Sequence, residues 1–162
     1  NVKKGQEDAT LGEELEAVDN YIYILNVRFA GDIHFSKDVD ESLENVRMPS
    51  MILQPIVENA VNHGIRDIEW EGKIHLTVTG DADYIRISVK DNGKGMTQEQ
   101  IEGVLSGNRE HRNEEGDSTG IGMNNVISRL ELYYEESGLM EINSEGKGKG
   151  TETVIYIPVQ EN

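Results

Sequence analysis

Four short segments of this chain combine residue types and spacings that could do chemistry. In Leu53-Gln54-Pro55-Ile56-Val57-Glu58-Asn59-Ala60-Val61-Asn62-His63-Gly64, a polar Glu58-Asn59 pair interrupts an apolar helical pattern, and Asn62 and His63 follow one turn later. An asparagine amide oxygen is a hard ligand suited to Mg²⁺, which takes few protein ligands and keeps waters or phosphate oxygens. A solvated or capping asparagine fits the same pattern. In Asp91-Asn92-Gly93-Lys94-Gly95-Met96, Asp91 has the strand parity of Ile85, Ile87 and Val89. If those three face the core, Asp91 is a carboxylate among apolar neighbours, which is costly without a donor. An exocyclic amine such as that of adenine would be one, and Gly93 and Gly95 would let backbone pass close to a flat ring. An exposed turn after Lys90 is the plainer alternative.

The third segment, Thr119-Gly120-Ile121-Gly122-Met123-Asn124-Asn125, leads glycines into a helix expected from about Met123. The amides at such a helix mouth form an anion site, although a flexible connector would look similar. In the fourth, Gly150-Thr151 opens a strand in which Thr151, Thr153, Ile155 and Ile157 share one face. Thr151 could turn its hydroxyl toward the same place as Asp91, or be an ordinary β-branched strand residue.

The elements that must position these groups are readable from periodicity. Leu11, Leu15, Val18, Ile22, Leu25 and Phe29 mark one face of a helix ended by Gly31, and residues 32–39 read as a strand. Pro49-Ser50 is expected to open the second helix, which stops at Gly64, with Pro55 giving an irregular first turn or a kink. Alternation at 74–78 and 85–89 around Gly80-Asp81-Ala82-Asp83 predicts a hairpin. A short helix near 97–105 precedes a long glycine-rich and charged stretch to 122, expected to be a lid or disordered. A helix from about 123 to 134 and strands near 139–144 and 151–158 complete the chain. This order predicts an α+β two-layer sandwich, with helices on one face of a mixed sheet and the other face partly open to solvent.

Composition bounds the function. The 162 residues hold 31 acidic and 15 basic side chains, a net charge of −16, and no cysteine. Such a surface repels nucleic acid, and disulfides and thiolate metal sites are excluded. No apolar run approaches the roughly 20 residues of a membrane span, so no membrane contact is expected of these residues. No signal peptide is visible, and the absence of Met at position 1 reads as a fragment. Residues 1–10 are polar and expected to be disordered or a linker, with one domain over 11–162.

Taken in order, the four segments resemble the GHKL ATP-binding superfamily, whose architecture is the Bergerat fold with an ATP lid. Asn59 matches the N box, Asp91–Gly95 the G1 box, Gly120–Gly122 the G2 box, and Gly150-Thr151 the terminal Gly-Thr. "LQPIVENAVNHG", "GIGMNN" and "ELEAVDNYIYILNVRF" are most similar to LytS/YesM-like sensor histidine kinases. The resemblance implies ATP and Mg²⁺ as ligands, with Asn59 holding the metal and Glu58 assisting. Asp91, supported by Thr151, would take the adenine amine. Gly93, Gly95 and Met96 would line that pocket, with Asn62 and His63 nearby. Thr119, Gly120, Ile121 and Gly122, with the amides of Met123 and Asn124, would cradle the phosphates. Relatives often have a lysine at the place of Asn62, for which His63, Lys94, Arg109 or Arg112 would substitute.

The resemblance further implies transfer of the γ-phosphoryl group to a histidine on an upstream dimerisation helix, homodimerisation of the intact protein, and a response regulator as partner. The parent would be membrane-anchored with this domain in the cytoplasm. Pro55 stands one turn before Asn59, where hydrolases of the superfamily and its serine kinases place a general-base glutamate, and this favours a histidine acceptor. His34, His63, His75 and His111 lack the acceptor context, so the chain alone is expected not to autophosphorylate. An ATP-hydrolysing clamp domain and a non-catalytic nucleotide-binding module are the competing readings.

Overall fold

The computed structural model describes residues 7–28, 33–107 and 119–159, with backbone alone at 119–121. Strand β1 (Asp8–Thr10) runs into helix α1 (Leu11–Arg28), whose first turn is closed by a capping box. Thr10 Oγ1 accepts from Glu13 N at 3.1 Å, and Thr10 N donates to Glu13 Oε1 at 2.9 Å. Strands β2 (Ile33–Val39) and β3 (Arg47–Pro49) follow, then helix α2 (Leu53–Asn59) and a π-helical turn (Ala60–Ile65). The rest is β4 (Gly72–Gly80), β5 (Tyr84–Asp91), α3 (Gln98–Ser106), α4 (Thr119–Tyr134), β6 (Met140–Asn143) and β7 (Thr151–Pro158).

Five strands form one mixed sheet in the order β2-β4-β5-β7-β6. β2 and β4 are parallel and every other neighbour pair is antiparallel. Ile74, Leu76 and Val78 of β4, Ile85, Ile87 and Val89 of β5, and Ile155 and Ile157 of β7 are buried. They join one core with Leu15 and Val18 of α1, Leu53, Ile56 and Val57 of α2, and Met123, Val126 and Leu130 of α4. On the opposite face Lys73, His75 and Lys90 are exposed, while Ser88 is buried and donates to Glu152 Oε2 at 2.7 Å. This is the two-layer α+β arrangement that strand alternation and helix periodicity imply. No helix among the described residues is long and apolar enough to cross a membrane.

Four expectations need correction. Asp8–Thr10 is a strand paired antiparallel with Arg47–Pro49, so ordered structure starts before Leu11 and Pro49 closes a strand instead of opening a helix. Met48, 1% exposed, anchors that strand, and Met51 at φ 58 turns the chain before α2 begins at Leu53. Pro55 is the third residue of α2, where the missing N–H belongs to the first turn and breaks no intrahelical bond. The irregularity falls instead at Ala60–Ile65, where Arg66 N reaches Val61 O at 2.9 Å. Finally, α4 starts at Thr119, not near Met123, so Gly120 and Gly122 lie inside its first turn. Phe29, Gly31, Arg109, His111, Arg112, Gly116 and the expected lid lie outside the described residues.

Candidate functional site

Asp91 ends β5 with its side chain on the covered face of the sheet, as its parity implies, and is 7% exposed. Among the described residues, only Asp91 and Glu14 are carboxylates buried to this degree. Its Oδ1 accepts from Gly93 N at 2.8 Å, and its strand partners are Ile74 on β4 and Thr151 on β7. Burial pushes its pKa up to about 6, against the lowering effect of the Gly93 and Thr151 amides. A carboxylate held this way is desolvated and keeps unused acceptor capacity.

Glycines make room for it. A Cβ on Gly64 would lie 2.8 Å from Asp91 Cγ, one on Gly93 2.0 Å from Gly64 O, and one on Gly150 2.2 Å from Asp91 O. Lys94 N donates to Gly64 O at 2.8 Å, and Gly150 N to Gly93 O at 3.1 Å. Gly95, at φ 73, has its Cβ position filled by Gly146 O. Gly93 and Gly95 thus admit other stretches of this chain's own backbone. The loop is tied down on both sides. Met96 N donates to Ser144 Oγ at 3.0 Å, and the Asn92 side chain bridges Lys73 N and Glu71 O, each at 2.8 Å. Sequence reasoning missed Gly64, read only as a helix stop, and Gly150 as a close neighbour of the Asp91 backbone. It also missed Asn92 and Ser144 as braces.

The π-helical turn explains how Gly64 reaches the carboxylate. A π turn inserts a residue into the helical register and re-aims the side chains beyond it, a device common at functional sites. Here it carries the chain from Asn59, at the end of α2, to Gly64 against Asp91. Glu58 and Asn59 are half-buried, His63 is half-buried and Asn62 is exposed. Gln54 Nε2 approaches Glu58 Oε1 at 3.4 Å. Burial first, and then the Glu58 charge, push the Tyr21 hydroxyl on α1 up to about 12, so Glu58 lies on the side of α2 nearest α1.

On α4 the first four amides, 119–122, are the ones a helix leaves without intrahelical acceptors. The amides of Met123 and Asn124 therefore fall within the helical ladder, and the helix end expected to receive an anion lies a turn earlier. The Met123 side chain is 1% exposed and belongs to the core. Asn124 Nδ2 is buried and has no hydrogen-bond partner among the described residues. A buried donor in this state is uncommon and costs free energy until an acceptor arrives. Among the described residues, nothing lies within 4 Å of a Cβ placed on Gly122.

These features fit an adenine nucleotide: a desolvated acceptor for an amine, glycines that hold it in place, a buried side-chain donor and helix-end amides that have no intrahelical acceptors. For a divalent cation the chemistry of Asn59 and Glu58 is suitable, with phosphate oxygens and water completing the set. A separate cavity of about 680 Å³ is lined by Leu25, Ile33, Val61, Ile65 and Trp70 among others, and by none of Asn59, Asp91, Gly93, Met96 or Thr151. Two expected bystanders are on the surface. His34 pairs with Glu71 at 2.7 Å and His75 with Ser36 at 2.6 Å.

Comparison with known proteins agrees with this fold. Residues 45–161 match the family described as histidine kinase-, DNA gyrase B- and HSP90-like ATPases. The chain is 32% identical over 161 residues to sensor histidine kinase YpdA of Escherichia coli, covering 97% of this chain and 26% of that protein. It is 31% identical over 149 residues to sensor histidine kinase YesM of Bacillus subtilis, covering 92% and 24%. The chain thus spans about a quarter of the length of these relatives. Among solved structures, the catalytic domain of histidine kinase ThkA superposes with a TM-score of 0.66 at 19% identity, covering 94% of this chain and 95% of that one. The mycobacterial sensor histidine kinase MprB gives 0.66 at 17% identity, covering 94% and 97%. With fold and sequence in agreement, the chain belongs to the histidine kinase-, DNA gyrase B- and HSP90-like ATPase family, and its curated relatives are sensor histidine kinases of the LytS/YesM type.

Proposed function

We propose that this chain binds ATP with Mg²⁺ and donates the γ-phosphoryl group to a histidine on an upstream dimerisation helix of the same protein, in two-component signalling. The observation that carries the reading is the buried Asp91 carboxylate in its glycine cradle, one strand pairing from Thr151. Asp91 accepts from the adenine amine, and Thr151 supports that edge. Asn59 holds the cation, and Glu58 assists through water or by orienting the reacting groups. The amides at 119–122, which have no intrahelical acceptors, and the Asn124 side chain face the phosphates. When bound, Mg²⁺ neutralises charge building on the phosphate oxygens. The acceptor imidazole attacks phosphorus with a ring lone pair, the bond to the bridging oxygen breaks, ADP leaves, and the ring proton passes to water. Such a transfer asks the protein mainly for positioning and charge stabilisation. Pro55 offers no base one turn before Asn59, which supports an imidazole acceptor over water. In the intact protein, residues 11–162 act as the catalytic domain of a membrane-anchored homodimer that serves a response regulator.

γ-Labelled ATP tests this. The chain alone is expected to bind nucleotide and acquire no label, and a polypeptide carrying the upstream histidine helix should become labelled at an acid-labile bond on adding the chain. Steady ATP hydrolysis abolished by Glu58→Ala, with no labelling, would favour the clamp-type ATPase instead.

The pH dependence has a defined sign. Free Asp91 titrates near 6, and only its ionised form accepts two donors and the amine. Affinity should be flat above pH 7 and fall toward tenfold per pH unit below 6, with a proton released on binding there. Adenosine competition, free of titrating phosphates, is the measurement, and an affinity flat from pH 7.5 to 5 would exclude an ionised Asp91 as the acceptor.

A further inference from the structure

Helix α2 carries Asn59 at its last position, yet its N-cap residue Ile52 supplies no side-chain cap. The cap comes from α1. Glu14, 5% exposed, accepts from Met51 N at 2.9 Å through Oε2 and from Ile52 N at 2.8 Å and Leu53 N at 3.1 Å through Oε1. The carbonyls of the same turn are held by α4. Arg129 Nη1 donates to Met51 O at 2.9 Å and Nη2 to Ser50 O. One turn of backbone, strained at Met51 with φ 58, is therefore gripped by a buried anion from one helix and a cation from the helix that bears Gly120 and Gly122. Negative charge at the amide end of a helix and a cation on carbonyls are both favourable placements.

We propose that Glu14 and Arg129 are positioning residues for phosphoryl transfer: together they set the height of α2, and so the place of Asn59 relative to the amides of α4. The inference rests on the nucleotide and metal roles proposed above. The two ends of the α2 and π-turn segment are held independently. Gly64 is fixed by Lys94 N and by its contact with Asp91. The start at 50–53 is fixed by Glu14 and Arg129. Releasing the start shifts residues 53–59 and leaves the adenine end in place. A cap that serves stability alone would not distinguish the two ends of the site.

Calorimetric titration of the chain with ADP, in EDTA and in excess Mg²⁺, reads the two ends separately, with melting temperature recorded alongside. Glu14→Ala is expected to lose at least tenfold of the Mg²⁺-dependent gain in affinity, while its affinity in EDTA stays within threefold of wild type. Glu14→Gln, which keeps one side-chain acceptor, should recover most of that gain. Arg129→Gln should repeat the Glu14→Ala pattern, and it carries the test if Glu14→Ala does not fold. Equal losses with and without Mg²⁺, or no loss in either folded variant, overturn the inference. No ADP binding by the wild type overturns the proposed function, and the inference with it.

Discussion

Asp91→Ala is expected to weaken ATP binding by about 1.5–3 kcal/mol, roughly ten- to a hundredfold or more, while the chain stays folded. The size follows from the surroundings. Asp91 is 7% exposed, and the adenine amine would donate to a charged oxygen that water cannot replace. The fold should tolerate the loss for a reason visible in the same group. Its pKa in the folded chain is raised to about 6 from 3.8, so its contribution to stability is complete below pH 3.8 and is lost as pH rises through 6. At neutral pH the ionised carboxylate is a cost to the empty fold. Asp91→Asn, which keeps an acceptor for Gly93 N, should accordingly melt no lower than wild type at pH 7.5 and compare less well near pH 4. Calorimetry and thermal denaturation at the two pH values check both halves.

The second large effect is expected at Gly93. An added methyl would sit 2.0 Å from Gly64 O, which accepts from Lys94 N, so neither backbone can withdraw without breaking the loop that presents Asp91. Gly93→Ala should destabilise the chain by about 3 kcal/mol or more and remove nucleotide binding with it. Gly122→Ala is the contrast. Nothing among the described residues lies within 4 Å of its Cβ position, and alanine favours a helix over glycine by about 1 kcal/mol. That variant should melt no lower than wild type, so any loss of ATP affinity reports on the phosphate end alone. Denaturant unfolding of the pair separates backbone collision from ligand contact.

Much of the site was legible because a strand has period two. Once Ile85, Ile87 and Val89 were assigned to the core, Asp91 had to join them, and the register Asp91–Thr151 completed the pair. The hidden features depend on contacts between distant segments. Proline looks alike at the first turn of a helix and at the end of a strand, and the strand partner of Pro49 is Asp8, some forty residues away. The π turn at 60–65 has no local signature, so Gly64 read as a stop although its lack of a Cβ is what admits the carboxylate. Glycines at 120 and 122 disfavour helix by propensity, and packing of Met123, Val126 and Leu130 overrides them. The role of Glu14 was invisible for the same reason: its three donors lie 37 to 39 residues along the chain.

The central claim is that a desolvated carboxylate reads the amino group of adenine. Competitive binding of ATP and inosine triphosphate, in which that amine is replaced by a carbonyl oxygen and the neighbouring N1 carries a hydrogen, tests it most directly. Facing Asp91, the carbonyl oxygen repels the charge and leaves the acceptor unpaired, so ATP should bind at least a hundredfold more tightly at pH 7.5, and Asp91→Ala should erase most of the difference. Equal affinity of the wild type for the two nucleotides would contradict the account.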